Sequence, residues 1–146
     1  MFELLRRDGL ARICKLDTPH GALETPALLP VINPRNITVP LDELHDDLGF
    51  KAIITNSYII RNNEELRERA LREGLHELLG YDGVIMTDSG TFQSYMYGEV
   101  DVRNEDIVAF QRDIGSDIGT VLDIFTEPDW SEERTSEAVD VTLART

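Results

Sequence analysis

Apolar residues in this chain come in short runs, separated by acid- and arginine-rich stretches with helical spacing, an alternation that predicts strands followed by helices. Residues 2–6 and 10–16 flank Arg7-Asp8-Gly9, and because Asp-Gly accepts the positive φ of a tight turn, a hairpin closing one end of a barrel is expected there. Thr18-Pro19-His20-Gly21 makes a second turn. Thr25-Pro26 then leads into a first core strand over residues 27–32, bracketed by prolines that forbid helix. After the Asn33-Pro34-Arg35-Asn36 loop come a helix over 40–48 and a second strand over 52–55, closed by Asn56-Ser57.

The second half repeats the alternation. Asn62-Asn63 caps a helix whose first turn holds Glu64 and Glu65, as the helix dipole favours, with Glu65–Arg69 and Glu68–Arg72 as i,i+4 pairs. Gly74 ends or kinks it, and Leu75, Leu78 and Leu79 carry an apolar face on to Gly80. Val84, Ile85 and Met86 are too few for a helix and too uniformly apolar for a half-exposed strand, so they read as a third strand covered on both faces and ending at Asp88. Asn104-Glu105-Asp106 opens a helix with Ile107, Val108, Phe110 and Ile114 on its buried side; a fourth strand over 118–122 ends at Asp123; and Ser131 caps a last helix, led by Glu132 and Glu133, with Ala138, Val139 and Val141 apolar. Four strand-helix units without linker or internal repeat describe an α/β chain, a partial (β/α)8 TIM barrel preceded by a β-hairpin, with residues 1–146 as its amino-terminal half. A complete barrel of this kind needs about 250 residues. The expectation is therefore an unpaired strand edge and barrel-facing side chains that lack half their partners.

In such folds the carboxyl ends of the strands carry the reactive groups. Asp88 and Asp123 both fall there, which makes them the candidate chemistry, although Asp before Ser-Gly is also good Asx-turn chemistry and on spacing alone the turn role is the commoner one. The run Asp88-Ser89-Gly90-Thr91-Phe92-Gln93 resembles the signature of the tRNA-guanine transglycosylases, a catalytic aspartate followed by Ser-Gly, a small residue, an aromatic and Gln. Glu24-Thr25-Pro26-Ala27 with Pro30-Val31, Thr55-Asn56-Ser57-Tyr58, and Gly115-Ser116-Asp117-Ile118 leading to Asp123 follow in that family's order, so the resemblance covers the whole chain. Thr91 in place of a second glycine and Ser57-Tyr58-Ile59-Ile60 resemble the archaeal branch, which makes the archaeosine precursor.

The resemblance implies an enzyme that exchanges a guanine in the tRNA D-arm for a deazaguanine, preQ0. Asp88 matches one of two family aspartates, cast both as nucleophile and as general base, and the other lies beyond Thr146. Asp123 matches the residue that reads the base, Phe92 the aromatic on which it stacks, and Ser89 and Asn56 residues lining the same pocket. Taken singly, Phe92 reads as a core aromatic, Asp123 as a helix-capping acid and Asn56 as a turn residue; the ordered set of motifs favours the site. The implied partners are tRNA, free preQ0 or guanine, and a complementary carboxyl-terminal chain or a second copy. No cofactor is expected in this chain. The family's zinc site, three Cys and a His, falls later in its sequence, and here Cys14 is the single cysteine. Cys14 lies between Ile13 and Leu16 and reads as a buried structural thiol. His20, His45 and His76 show no ligand spacing and read as surface or packing residues. No phosphate-cradling glycine loop occurs.

Composition alters this picture in one respect. Of the formal net charge of −14, nearly all resides in residues 62–146, with 7 basic and 20 acidic groups against 7 and 8 in residues 1–61. Phosphate-backbone binding rests on Lys and Arg, so this acidity alone argues against a nucleic-acid partner. Two lysines beside twelve arginines, with 28 acids, also fit a protein working in concentrated salt, and point to a haloarchaeal source. There the Debye length is only about 3 Å and self-repulsion is screened. No run reaches the roughly 18 apolar residues of a membrane span, and Met1-Phe2-Glu3-Leu4-Leu5-Arg6-Arg7 lacks a signal peptide's order, so a cytoplasmic protein is expected. Two further readings remain open: a truncated or split non-catalytic fragment that binds only base or a partner, and a carboxylate-dependent barrel hydrolase.

Overall fold

The computed structural model describes residues 1–97 and 102–146 and resolves two sheets. The first is antiparallel: β1 (Phe2–Asp8) and β2 (Ala11–Thr18) form the expected hairpin, and β3 (Gly21–Thr25) adds a third strand beyond the expected second turn. β3 has few β-branched residues, and it is the pairing of Leu23 with Leu16 and of Thr25 with Cys14 that makes it a strand. Cys14 is buried, as expected.

The second sheet is parallel, in the sequential order β4 (Val31–Ile32), β5 (Ala52–Asn56), β6 (Val84–Asp88), β7 (Ile118–Gly119). The two central strands hold the sheet together, with Ile53 and Ile85 fully buried and Asn56 in register with Asp88. Both outer strands are shorter than expected. Residues 27–30 are not strand: Pro30 has no N–H to give, although its carbonyl still accepts the Ile54 N–H at 3.0 Å. Residues 120–122 leave the ladder because side chains take over their backbone groups; Gln111 Oε1 accepts the Thr120 N–H at 3.0 Å and Asn104 Oδ1 accepts the Leu122 N–H at 3.0 Å.

Helices cover this sheet. The expected helix over 40–48 is a short helical segment whose Glu43–Asp47 turn is π-bonded, the Leu48 N–H reaching the Glu43 carbonyl at 3.0 Å. α1 (Ser57–Arg61), capped by Asn56, follows β5 directly; α2 (Glu64–Glu73) is capped by Asn63 and stops at Gly74, where φ is +88°. On α2 the ion pairs sit one turn later than expected, Arg69 and Arg72 both meeting Glu73 in place of Glu65–Arg69 and Glu68–Arg72. α3 (Leu75–Leu79) buries Leu75 and Leu79. α4 (Thr91–Tyr97) begins inside the Asp88 motif, where a loop was expected, and the remainder of that loop, residues 98–101, lies outside the described residues.

α5 (Asn104–Asp113) buries Ile107 and Phe110, with Ile114 at its end, but Val108 is exposed and the amide of Gln111 takes the buried place instead. α6 (Glu132–Leu143) is capped by Ser131 as expected, yet it docks through Ala138 and Thr142 while Val139 and Val141 face outward. The main core joins Ile32, Ile53, Ile60, Leu75, Ile85 and Ile107, between the sheet and its helices.

Candidate active site

Asp88 is the last residue of β6, and the chain fastens it by its neighbours. Asn56, opposite it on β5, donates from Nδ2 to Asp88 Oδ2 at 2.9 Å and to Gln93 Oε1 at 3.0 Å, while its own Oδ1 caps α1 by accepting the Ile59 N–H at 2.9 Å. Ser57 Oγ donates to the Asp88 carbonyl at 2.8 Å, and the Gly90 N–H closes onto Asp88 Oδ1 at 3.1 Å. Both carboxylate oxygens therefore receive a neutral donor from the fold. No cation is among these contacts, so the carboxylate is oriented by neutral donors alone. Gly90 is obligatory: its φ is +88°, and a Cβ there would come within 2.2 Å of Tyr58 Cβ.

The next residues divide their work. Ser89 is buried, its Oγ donating to the Val121 carbonyl at 2.9 Å and its N–H to Thr120 Oγ1 at 2.8 Å, so its hydroxyl ties the Asp88 turn to the segment after β7. Thr91 Oγ1 reaches the Asp123 carbonyl at 3.4 Å, which holds Asp123 beside the same turn although it lies four residues beyond the end of β7. Asp123 is itself exposed. Phe92 is 52% exposed, and its ring meets Phe125 at 5.7 Å between centroids; Phe125 in turn stacks on Tyr95 at 4.4 Å. Phe92 is thus an accessible aromatic face and not a core aromatic. Asp88, Asn56, Ser89, Phe92 and the backbone of Asp123 converge at the carboxyl end of the parallel sheet. Gln93 and Ser57 join them, legible beforehand only as members of the motifs. Together they present an oriented carboxylate and an exposed ring, with Asp123 held alongside by its backbone, a set suited to chemistry on a planar, polar ligand.

The queuine tRNA-ribosyltransferase family model matches residues 8–146. The chain belongs to that family. It is similar to the tRNA-guanine(15) transglycosylase of Thermoplasma acidophilum, 59% identical over 144 residues, which cover 99% of this chain and 23% of the relative. The corresponding proteins of Pyrococcus abyssi, 54% identical, and Methanopyrus kandleri, 51% identical, are matched over 99% of this chain and over 24% and 31% of their own lengths. The chain thus spans about a quarter of these archaeal relatives. A family zinc site of three Cys and a His finds no fit in residues 1–146, where Cys14 is the lone cysteine and is buried under β3.

At the other end of the sheet the structure joins residues that sequence spacing kept apart. His20 from the β2–β3 turn and His76 from α3 stack ring on ring, 3.4 Å between centroids, and both contact Asp117 just ahead of β7. Their ligand-type atoms lie within 4.8 Å of one another. The rings are inclined by only 20°, however, so their nitrogen lone pairs run side by side and do not converge on one ion. His45, by contrast, is half-buried, its ring meeting buried Tyr81 edge-on at 5.6 Å and its Nδ1 lying 2.7 Å from the neighbouring Asp46 carboxylate.

Proposed function

We propose that this chain is the amino-terminal part of the catalytic (β/α)8 barrel of an archaeal tRNA-guanine transglycosylase, exchanging guanine in the tRNA D-arm for preQ0 on the way to archaeosine. The observation that carries this is the Asp88 carboxylate, fixed at a strand's carboxyl end by Asn56 and Gly90 with an exposed Phe92 ring a few residues away. The reaction must break an N-glycosidic bond without surrendering the ribose to water. A carboxylate that attacks the anomeric carbon keeps the RNA covalently attached while guanine leaves, and the incoming base displaces that carboxylate. A second acid–base group has to move the protons. Asp88 is one of that pair, and the other is supplied by the part of the enzyme that this chain does not span. Asp123 accepts hydrogen bonds from the base's ring N–H and exocyclic amine, and Phe92 stacks on the base after it has left the RNA helix, a contact of about 1–3 kcal/mol. Ser89 and Asn56 hold the pocket's walls.

The same reading implies tRNA and free base as partners, a cytoplasmic setting, and zinc bound elsewhere in the full enzyme. The acid excess suits a haloarchaeal cytoplasm. The alternative, a fragment that binds only base or a partner chain, draws support from the exposed outer strands: Val31 on β4 is 83% exposed, and a recess of about 640 Å³ opens beside β7, lined by Val108, Gln111, Gly119, Thr120 and Arg145 among others. The two separate in a guanine-exchange assay. The isolated chain should be inactive, and the chain supplemented with the remaining segment of the enzyme should incorporate labelled guanine into archaeal tRNA. Turnover by the isolated chain, or none after supplementation with a folded complement, contradicts the proposal.

A further inference from the structure

The amino end of the parallel sheet carries a polar node that the reaction does not use. Asp117 has a fully buried side chain, and both of its carboxylate oxygens have hydrogen-bond partners. Oδ2 accepts the Ile85 N–H at 2.9 Å and faces His76 Nε2 at 3.1 Å, and Oδ1 faces His20 Nδ1 at 2.9 Å. His76 Nε2 also faces the Gly83 carbonyl at 3.1 Å, so both of its neighbours are acceptors and this nitrogen must carry the hydrogen. By the same reasoning His20 carries its hydrogen on Nδ1. Neutral rings of these tautomers each give the carboxylate a donor. Three elements distant in sequence, the β2–β3 turn, α3 and the lead-in to β7, are thereby bonded to one another and to β6 through a single buried anion.

We infer that His20, His76 and Asp117 form a proton-released latch that fastens the β2–β3 hairpin to the base of the parallel sheet. A first proton on the stack leaves one imidazolium against one carboxylate, which is tolerated. A second proton places two like charges 3.4 Å apart, centroid to centroid, beside that same single carboxylate. The stack then separates, and His20 is the ring that leaves, because its side chain is 39% exposed and rides on a turn, whereas that of His76 is 16% exposed and sits on a helix.

Burial, and then the neighbouring His20, hold the His76 pKa below its ordinary value against the opposing pull of Asp117 and the Gly83 carbonyl. Burial also pushes the Asp117 carboxyl upward, but the Ile85 N–H and the two rings outweigh it and keep Asp117 ionised below the usual carboxylate range. The groups acting on the latch are thus His20, His76, Asp117 and these two backbone groups. Because the folded-state pKa of His76 is lowered, its contribution to stability is complete above the unfolded value of about 6.5 and is lost as pH falls through the folded one.

Amide hydrogen exchange of the full chain between pH 7.5 and 5.5, corrected for the intrinsic pH dependence, tests this. The β3 amides that bond to β2 should exchange roughly tenfold faster at the lower pH, in step with the ring ¹⁵N shifts of His76. His76→Gln keeps an N–H donor for Asp117 and Gly83 without a titrating group, and should flatten the response, as should His20→Gln; His45→Gln should leave it as in the parent chain. A pH response unchanged in both Gln variants overturns the latch. So do β2-bonded β3 amides that are unprotected at pH 7.5 or insensitive to pH in the parent chain, and so does zinc binding that shifts both rings together.

Discussion

Asn56 bears more of the site than any other single side chain. It orients Asp88, fixes Gln93 and caps α1, so Asn56→Ala should remove the cap and free the carboxylate together. The expected loss is about 1–2 kcal/mol of stability, read as a lower urea midpoint with an unchanged m-value. Gly90→Ala should cost more, roughly 2–4 kcal/mol, since the new Cβ must displace Tyr58 backbone-proximal atoms while the residue stays at positive φ; a variant as stable as the parent in the same denaturation would refute the close approach. In the supplemented enzyme Asp123→Ala should raise the requirement for free base far more than that for tRNA, because buried N–H donors of the base lose a charged acceptor worth about 1–3 kcal/mol or more. That corresponds to roughly tenfold to a few hundredfold in apparent affinity. Equal weakening towards base and tRNA would assign Asp123 to the fold or the RNA groove.

Between elements, the apolar core is supplemented by a polar fastening centred on Gln111. Its Oε1 accepts from Thr87 Oγ1 at 2.7 Å and from the Thr120 N–H, and its Nε2 donates to the Ile107 and Thr120 carbonyls, joining α5 to β6 and to the segment after β7. Gln111→Met keeps the volume but strands the Thr120 N–H and carbonyl, the Thr87 hydroxyl keeping Ser116 Oγ at 2.9 Å, and should cost about 2–4 kcal/mol, measured by thermal or urea unfolding. No apolar periodicity announces such a residue, and Val108 was expected in its place. The same limit explains the other differences. Ser57-Tyr58-Ile59-Ile60 is an apolar run that reads as loop or strand until Asn56 is seen to cap it, and β3 is a strand only because β2 lies beside it. The central strands, the α2, α5 and α6 caps or starts, and the Asp88 turn were legible because local chemistry dictates them. The His20–His76–Asp117 node was not, since it exists only once the hairpin and the sheet have docked.

For the molecule as a whole, charge sets the behaviour. With net charge −14 and most of the acids in residues 62–146, raising KCl from about 0.2 to 2 M should stabilise the fold by screening self-repulsion, visible as a higher unfolding temperature; a fall in that temperature would argue against a high-salt setting. The proposal that these residues form the Asp88-bearing part of a tRNA-guanine transglycosylase barrel makes a direct prediction. It is tested most directly by grafting residues 1–146 in place of the matching segment of the Thermoplasma acidophilum relative, 59% identical, and following labelled guanine into tRNA. The account predicts that the chimaera retains activity within roughly tenfold of that relative, a barrier change of about 1.4 kcal/mol, and that Asp88→Asn abolishes exchange while tRNA still binds. A folded chimaera without exchange activity, or one whose activity survives Asp88→Asn, would contradict it.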